Sequence, residues 1–389
     1  MTVDRTDTAS ARRRSDGGNG GEICDERDSE TDGRREPVLS VRDLKTYFDT
    51  EEGTIRAVDG VSFDVHRGET VCVVGESGSG KTATAESITR LIDSPPGRIA
   101  GGSIRFDGRE LTDLDESELR TVRGERIGHV FQESQGALNP VDSIGRQVVE
   151  SIRHRRDVSK EEAREEAIEL LGRVGLPDAV SRFDDHPHEL SGGMTKRVAI
   201  AIALARRPDL LIVDEPAVAL DTTVRMQIFR LFEALKGEYG MSLLFFANDL
   251  GIVAGIADRV VVLYAGKVME RGSVFDVFDR PSHPYTQALF RSFPGEGGPG
   301  IEKARPIPGS VPDLVRPPAG CRFNPRCPHA IEDCRMGEQP PLYTVDDAGH
   351  VASCVYYREG YDESVVQKGY DESTALERND TTGARDDES

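Results

Sequence analysis

The 389-residue sequence contains no tryptophan, and only eight of its 49 basic residues are lysine. Acidic residues number 69, which gives a formal net charge of -20. Because an acidic surface repels phosphate groups, the composition argues against general nucleic-acid binding. An ordinary solvated surface is the simpler interpretation of most of these charges. Hydrated carboxylates with few lysines also favour a protein that stays soluble in concentrated salt, so we expect an extremely halophilic source.

The sequence also lacks any apolar run of 18 residues or more, and its N-terminus, MTVDRTDTASARRR, has no apolar core. The first absence argues against a membrane-spanning helix, and the second argues against a secretory signal. We therefore expect a cytoplasmic location, where six cysteines are more consistent with thiols or metal ligands than with disulfides.

The chain divides by composition into two tails, a large central region and a C-terminal module. Residues 1–37 and 358–389 have little to bury and are predicted to be disordered acidic tails. Residues 38–295 begin with short strands and continue with a helical section at about 133–195. Strands and helices then alternate, which predicts a parallel sheet. Residues 296–357 are rich in Pro, Gly and Cys and are predicted to form a separate small module.

The stretch GESGSGKT fits the phosphate-loop pattern G-x-x-x-x-G-K-[ST] and lies between the predicted strand TVCVV and a helical pattern. Glycines let backbone N–H groups converge on phosphates, and the helix N-terminus adds its positive end. Lys81 supplies a charge to the phosphates, and the Thr82 hydroxyl is suited to Mg²⁺. The predicted nucleotide-binding residues are Gly75, Ser77, Gly78, Ser79, Gly80, Lys81 and Thr82.

A second apolar strand, LLIVDE, ends in two acidic residues. Asp214 is placed to hold the metal through water, and Glu215 is placed to polarise the attacking water. Together with the phosphate loop, this strand predicts nucleotide hydrolysis.

The sequence LSGGM, at 190–194, lies between these motifs and resembles the signature of the ATP-binding cassette (ABC) family. The resemblance implies that Ser191, Gly192 and Gly193 bind the γ-phosphate of a nucleotide held by a second subunit, a role that suits a helix N-terminus. It also implies that Gln132 contacts Mg²⁺, together with Thr82 and Asp214, and faces a membrane partner.

Two further positions match the family pattern. Asp221 resembles the aspartate at the dimer seam. Tyr47 resembles the aromatic residue that stacks on adenine, with Phe48 as the alternative; a lone aromatic residue is also commonly part of a core. The implied fold is an α/β phosphate-loop ATPase with an antiparallel β subdomain, a parallel-sheet core, a helical insert and a small Cys-rich C-terminal module.

Other segments are similar to the oligopeptide, dipeptide and nickel importer branch of the family, namely LNP, PHELSGG, HPYTQAL and GCRFNPRCPHA. The resemblance covers about residues 38–357. It implies an ATPase subunit on the cytoplasmic face of the cell membrane that pairs with a second ATPase subunit, non-identical or identical. Two membrane permeases and, indirectly, an extracellular solute-binding protein complete the implied assembly.

Several positions depart from the family pattern. Thr195 and Lys196 replace the usual Arg-Gln after the signature, and Ala217 and Val218 replace a common Thr-Thr pair. In LLFFANDLG, Asn248 occupies the position of the switch histidine, which contacts the γ-phosphate in the family. We therefore expect weakened hydrolysis at this chain's own phosphate loop.

Four cysteines, Cys321, Cys327, Cys334 and Cys354, lie in the C-terminal module. Four thiolates in a segment with little core of its own suggest a metal site, although the spacing differs from the paired C-x-x-C of zinc ribbons. In the importer branch, similar cysteines are associated with a [4Fe–4S] cluster. Zinc and free thiols are the alternatives.

The sequence thus predicts an ATPase that energises uptake of peptides or related solutes, with ATP, Mg²⁺ and an iron–sulfur cluster as ligands. One alternative is a regulatory or structural subunit that binds ATP and hydrolyses little of it at its own site. Another is a soluble ABC ATPase that is not linked to transport. The transported solute is not specified by this chain.

Overall fold

The computed structural model describes residues 36–132, 136, 138–215, 222–292 and 305–367, with the side chains of 222–225 left aside. In chain order the strands are β1 (Pro37–Thr50), β2 (Gly53–His66), β3 (Thr70–Val74), β4 (Gly97–Phe106), β5 (Arg109–Glu110), β6 (Ile127–Val130), β7 (Leu210–Asp214), β8 (Ser242–Ala247), β9 (Arg259–Tyr264), β10 (Lys267–Ser273), β11 (Tyr343–Thr344) and β12 (Val351–Ala352). The helices are α1 (Lys81–Thr89), α2 (Glu116–Glu125), α3 (Ile144–Arg155), α4 (Lys160–Arg173), α5 (Gly192–Ala205), α6 (Thr222–Tyr239), α7 (Leu250–Ile256), α8 (Val274–Asp279) and α9 (Pro284–Arg291).

The early strands form a four-stranded antiparallel sheet with the order β2-β1-β4-β5. Its pattern is the expected alternation, because Val61, Phe63 and Val65 are all fully buried. The first strand continues to Thr50, well past the apolar segment that suggested it. This sheet corresponds to the predicted antiparallel subdomain.

The central sheet has eight strands in the described part of the chain, in the order β11-β12-β10-β9-β3-β8-β7-β6. The five strands from β9 to β6 are parallel, as predicted from the alternation of strands and helices. Both faces of the sheet are covered. On β7, Leu211 and Val213 join the core shared with the helices, whereas Leu210 and Ile212 join the core shared with the antiparallel sheet. Burial on both faces explains the continuous apolar runs of these strands.

The helical section contains α3, α4 and the start of α5. Helix α4 begins at the predicted capping box, where Ser159 Oγ accepts from the Glu162 N–H at 3.1 Å. Helix α5 extends ten residues beyond the predicted boundary at 195 and contacts β6. The signature helix is therefore part of the packing of the central sheet, and the helical section has no independent end at 195.

The cysteine-bearing segment is not the separate module that composition suggested. Strands β11 and β12 extend the central sheet at β10, and Phe323 and Val355 belong to the same core as the helices. The packed region also passes the predicted tail boundary at 357, because Val366 is fully buried. Residues 1–35 and 368–389, which make up most of the two predicted tails, lie outside the description.

Within the described ranges, no helix is both long enough and apolar enough to cross a membrane.

Candidate active site

The predicted site residues follow four neighbouring strands, β3, β8, β7 and β6, at their carboxyl ends. Gly75 follows β3, Asn248 follows β8, Glu215 follows β7 and Gln132 lies two residues after β6. Because parallel strands end at one edge of a sheet, the fold brings these four segments together. This edge is where open α/β sheets bind ligands.

The phosphate loop needs glycine because it passes very close to neighbouring backbone. A Cβ atom on Gly75 would lie 2.1 Å from the carbonyl oxygen of Leu263, and one on Gly80 would lie 2.3 Å from that of Ala57. Gly80 also has a φ of +103°, which side-chain-bearing residues rarely adopt. The loop is thus seated on β9 and β2, and helix α1 begins immediately after it.

Lys81 is the first residue of α1, and only 4% of it is exposed. Its ammonium donates to the carbonyl oxygens of Gly75 at 2.9 Å and Glu76 at 3.1 Å. Burial lowers the pKa of Lys81, while the carboxylates of Glu215, Asp214 and Glu76 raise it. The cation therefore lies inside the loop, where it can donate to a bound anion.

Asp214, Thr82 and Gln132 lie together beside the phosphate loop. The Thr82 hydroxyl is 3.5 Å from Gln132 Oε1, and a hydrogen bond with Thr82 lowers the pKa of Asp214. Burial is the larger influence and raises the pKa of Asp214 to about 6. Asp214 Oδ1 is buried and, among the described residues, has no hydrogen-bond partner. Hard oxygen atoms with an unsatisfied carboxylate fit Mg²⁺, which these three residues would hold, in part through water.

The carboxylate of Glu215 is held by two side-chain amides. Gln132 Nε2 donates to Oε2 at 2.8 Å, and Asn248 Nδ2 donates to Oε1. The Glu215 N–H donates to the carbonyl of Phe246 at 2.9 Å, which ties β7 to β8 just before the site. Asn248 thus lies at the end of β8 in direct contact with the predicted catalytic carboxylate.

A second buried lysine approaches the same residue from the signature helix. Lys196 Nζ donates to the carbonyl oxygen of Glu215 at 2.7 Å, and only 5% of Lys196 is exposed. Burial lowers the pKa of Lys196, while Glu215 and Asp214 raise it. Lys196 is one of the departures from the family pattern, but the sequence did not indicate its contact with Glu215.

The signature residues occupy the start of α5. Ser191 is the N-cap, and its hydroxyl accepts from the Met194 N–H at 3.4 Å. Ser191 and Gly192 are exposed, and Gly193 is half-buried. The helix N-terminus is therefore open to solvent in the single chain, which suits an anion presented by another molecule. The remaining predicted seam residue, Asp221, and the neighbouring Ala217 and Val218 lie outside the described residues.

Tyr47 lies on β1 next to the elements that carry the phosphate loop. Its hydroxyl donates to Asp59 Oδ1 at 2.7 Å, and the Arg98 guanidinium lies 5.6 Å from the ring centroid. The preceding Thr46 hydroxyl is 2.7 Å from that of Ser87 on α1. Tyr47 is half-buried, so its polar contacts agree with a position at the edge of a site; the adenine contact stays a prediction.

The four C-terminal cysteines converge without forming a metal site in the described residues. Cys321, Cys334 and Cys354 are buried, and Cys327 is half-buried. Burial, with a smaller contribution from neighbouring cysteines, raises the pKa of Cys321 to about 11 and that of Cys327 to about 12. Because a cysteine ligates a metal as the thiolate, metal binding at these positions would release protons.

No three His, Cys, Asp or Glu side chains in the described ranges are arranged to hold a metal ion. The arrangement therefore does not fit the [4Fe–4S] cluster or the zinc ion that the sequence suggested. Of the other two cysteines, Cys72 is buried in β3, where burial raises its pKa, and Cys24 lies outside the description.

Sequence reasoning missed two residues that contact the phosphate loop from the C-terminal part of the chain. Arg326 forms an ion pair with Glu76, and the Tyr285 hydroxyl accepts from the Glu76 N–H. Both residues lie in segments that served only as subfamily markers, GCRFNPRCPHA and HPYTQAL.

Comparison with known proteins shows which family the chain belongs to. Residues 58–218 match the ABC transporter family model, and residues 269–334 match the model of the oligopeptide/dipeptide transporter C-terminal region. The chain is 46% identical to a probable peptide ABC transporter ATP-binding protein of Sinorhizobium fredii, covering 82% of this chain and 94% of the relative. It is 44% identical to the oligopeptide transport ATP-binding protein OppD of Bacillus subtilis, covering 81% and 88%.

Solved structures show the same fold. A dimeric ATP-binding cassette bound to ADP and phosphate in a post-hydrolysis state matches with a TM-score of 0.56 and 29% identity, over 61% of this chain and 98% of that one. CbiO1 of Clostridium perfringens, part of an ABC transporter complex, matches with a TM-score of 0.53 and 28% identity, over 63% and 92%. The predicted resemblance is thereby confirmed, and the chain belongs to the ABC family of ATPases, in its oligopeptide and dipeptide transporter branch.

Proposed function

We propose that the chain is the ATP-hydrolysing subunit of a membrane importer for peptides or related solutes. The observation that carries this proposal is the set of site residues at four adjacent strand ends, in a chain whose relatives are named peptide transport ATP-binding proteins. The same names argue against a soluble ABC ATPase that is not linked to transport. The subunit would work on the cytoplasmic face of the membrane, bound to two permeases. An extracellular binding protein would deliver the solute to these permeases.

The residues divide the chemistry among them. Lys81 and the loop N–H groups bind the β- and γ-phosphates. Asp214, Thr82 and Gln132 would hold Mg²⁺, which would supply positive charge to the phosphates. Glu215 accepts a proton from the attacking water, and the amides of Gln132 and Asn248 fix the direction of its carboxylate. The remaining role is that of Tyr47, which would stack on the adenine.

The membrane complex offers a direct test. The chain, its ATPase partner and the permeases are reconstituted in lipid vesicles with the binding protein, and ATP hydrolysis is measured with and without peptides. We expect peptides to stimulate hydrolysis, and we expect Lys81→Ala to abolish the stimulation. Stimulation by sugars or nickel alone would change the proposed substrate class. An ATPase rate that is the same with and without permeases and solutes would contradict a transport role.

Asn248 favours a second candidate, a subunit that binds ATP at its own phosphate loop and hydrolyses it slowly. The Asn248 amide can donate through Nδ2 but cannot carry the positive charge of the switch histidine. In the structure, Nδ2 donates to Glu215 Oε1. We infer a dimer with a non-identical partner, in which this chain's Ser191, Gly192 and Gly193 complete the faster site on the partner's phosphate loop. A homodimer is the alternative, and it would contain two slow sites.

Two further expectations are open to simple measurements. Iron and zinc analysis of anaerobically purified protein decides whether the cysteines bind a metal, since a bound cluster would require them to rearrange from their present buried positions. Cys327→Ser should lower the iron content if the cluster forms. A melting temperature that rises with KCl up to molar concentrations would support the halophilic interpretation of the acidic composition.

A further inference from the structure

The Arg326 side chain makes a two-pronged contact with the phosphate loop. Its Nη1 lies 2.8 Å from Glu76 Oε2, and its Nη2 lies 3.2 Å from Oε1. The Arg326 side chain is 4% exposed and also donates to the carbonyls of Ile307 at 3.0 Å and Pro308 at 2.9 Å. The Tyr264 hydroxyl, at 3.2 Å, completes its surroundings. Arg326 is thus fixed by several partners and has little freedom to leave the loop.

The backbone of Glu76 is held from the same side. Its N–H donates to the Tyr285 hydroxyl at 2.9 Å, and Tyr285 is fully buried on α9. The Tyr285 ring packs against Tyr264 at 4.5 Å and Phe323 at 5.3 Å between ring centroids. Both the side chain and the main chain of Glu76 are therefore held by residues of the segment between β10 and β11.

The negative charge of Glu76 would weaken nucleotide binding unless a positive charge neutralises it. The residue is the second of the phosphate loop, and its carbonyl is 3.1 Å from the Lys81 ammonium. Its carboxylate raises the pKa of Lys81, and an unbalanced negative charge in the loop would repel a polyphosphate. A bidentate arginine both neutralises a carboxylate and fixes its direction.

We propose that Arg326 is a positioning residue for nucleotide binding, which neutralises Glu76 inside the phosphate loop and directs its carboxylate away from the phosphates. The proposal rests on the proposed ATPase function, and it adds a role for the C-terminal region in ATP affinity. That region would then do more than extend the fold, because nucleotide binding would depend on its packing against the loop.

The test measures dissociation constants for ATP and adenosine by calorimetry on the full chain. Arg326→Gln should weaken ATP binding about tenfold, because it leaves the Glu76 carboxylate unbalanced in the loop, and should leave adenosine binding unchanged. The control is Arg358→Gln, because Arg358 is in the same segment and pairs with Asp333 at 2.8 Å, outside the loop. This control should bind ATP like the wild type.

The second variant separates neutralisation from a purely structural role. If Arg326 acts by balancing Glu76, adding Glu76→Gln to Arg326→Gln should restore ATP affinity to within about threefold of the wild type. Loss of ATP and adenosine binding together, or no recovery in the double variant, would overturn the proposal. Unchanged ATP binding in Arg326→Gln would overturn it too.

If Arg326→Gln does not fold, ATP binding by the single variant Glu76→Gln still tests the proposal. It leaves the Arg326 charge unopposed, so ATP binding should become about threefold tighter at low salt, an advantage that salt removes. Weaker binding would contradict the proposal. Failure of the wild type to bind ATP at all would instead contradict the proposed function, so the two failures can be told apart.

Discussion

The two regions of this chain that are predicted to contact nucleotide, the phosphate-loop region and the signature, are built very differently. Around the phosphate loop, Lys81 and Asp214 are almost fully buried, and Glu215 is tied to two other strand ends. The signature lies at the start of α5, where Ser191 and Gly192 are exposed. The Ser191 hydroxyl contacts only the N-terminus of its own helix among the contacts described above, as its N-cap. The first region is preorganised within one chain, and the second is left open.

This difference has a functional consequence. A preorganised site needs no partner to bind the phosphates, whereas an exposed helix N-terminus completes a site only when an anion reaches it from outside. The signature side should therefore matter for turnover in the dimer and little for ATP binding by the isolated chain. The predictions below test this division, from the largest expected effect to the smallest.

Replacing Ser191 should have the largest effect on turnover. In the proposed heterodimer, Ser191→Ala removes a donor from the faster site, and loss of one preorganised donor typically costs about 10²–10³ in rate. Ser143→Ala is the matched control, because Ser143 caps α3 with the same 3.4 Å geometry. Steady-state ATPase activity should fall for Ser191→Ala and stay near the wild-type value for Ser143→Ala. Equal losses would mean that the effect is only on helix stability.

The slow-site hypothesis makes the opposite prediction for this chain's own carboxylate. Glu215→Gln should change steady-state turnover of the heterodimer little, whereas Asn248→His should raise hydrolysis at this site by up to about 10²-fold. Single-turnover assays with the partner's site disabled measure this directly. The asymmetry is wrong if Glu215→Gln abolishes turnover while Asn248→His leaves it unchanged.

ATP binding should depend on the buried cation of the phosphate loop. Lys81→Ala removes a charge-assisted contact worth roughly 1.5–3 kcal/mol, so affinity should fall at least tenfold. Lys160→Ala, an exposed lysine at the start of α4, is the control and should bind ATP normally. Calorimetry on the isolated chain gives both values. Unchanged affinity in Lys81→Ala would contradict the phosphate-loop assignment.

Asp214 makes Mg²⁺ binding sensitive to acid. Its pKa of about 6 lies above its ordinary value, so the carboxylate that would hold the metal is progressively protonated below pH 6. Mg²⁺ affinity should fall about tenfold per pH unit there. Asp214→Asn should bind Mg²⁺ weakly at every pH and lack this dependence. A wild-type affinity that is constant between pH 5 and 7 would contradict the role.

The stability of the metal-free protein should change in the same pH range. A folded-state pKa that is raised favours the folded state at pH values below the ordinary carboxyl pKa, and this benefit is lost as the pH rises through about 6. Metal-free Asp214→Asn should therefore melt at a higher temperature than the wild type at pH 7, and the difference should shrink towards pH 4.

The parts of the site that are local in sequence could be predicted well. The phosphate loop, the strand that ends at Asp214 and the apolar strand before Asn248 each carry their structure in a few adjacent residues. The continuous apolar runs form the predicted parallel strands, and Gly75 and Gly80 lie where a Cβ would meet neighbouring backbone. The sequence also identified Asn248 and Lys196 as departures from the family pattern.

What the sequence could not provide are contacts between distant segments. Arg326 and Glu76 are 250 positions apart, and Lys196 meets the Glu215 carbonyl only because α5 packs beside the sheet. Composition also misled at the C-terminal region. Its Pro, Gly and Cys content suggested an independent module, whereas its buried residues complete the core of the central sheet. The composition of a segment indicates its local backbone conformation, but it does not indicate which other part of the protein the segment packs against.

The smallest predicted effect concerns a residue far from this chemistry in the sequence. Ser159 caps α4, and its N–H donates in return to Glu162 Oε2 at 2.9 Å. Replacing an N-cap serine by alanine costs about 1 kcal/mol, so Ser159→Ala should lower the free energy of unfolding by that amount. ATP affinity should be unchanged, since the phosphate-loop region is held by its own buried contacts. Parallel denaturation and calorimetry would test this, and weaker ATP binding in Ser159→Ala would show that the helical section supports the phosphate loop after all.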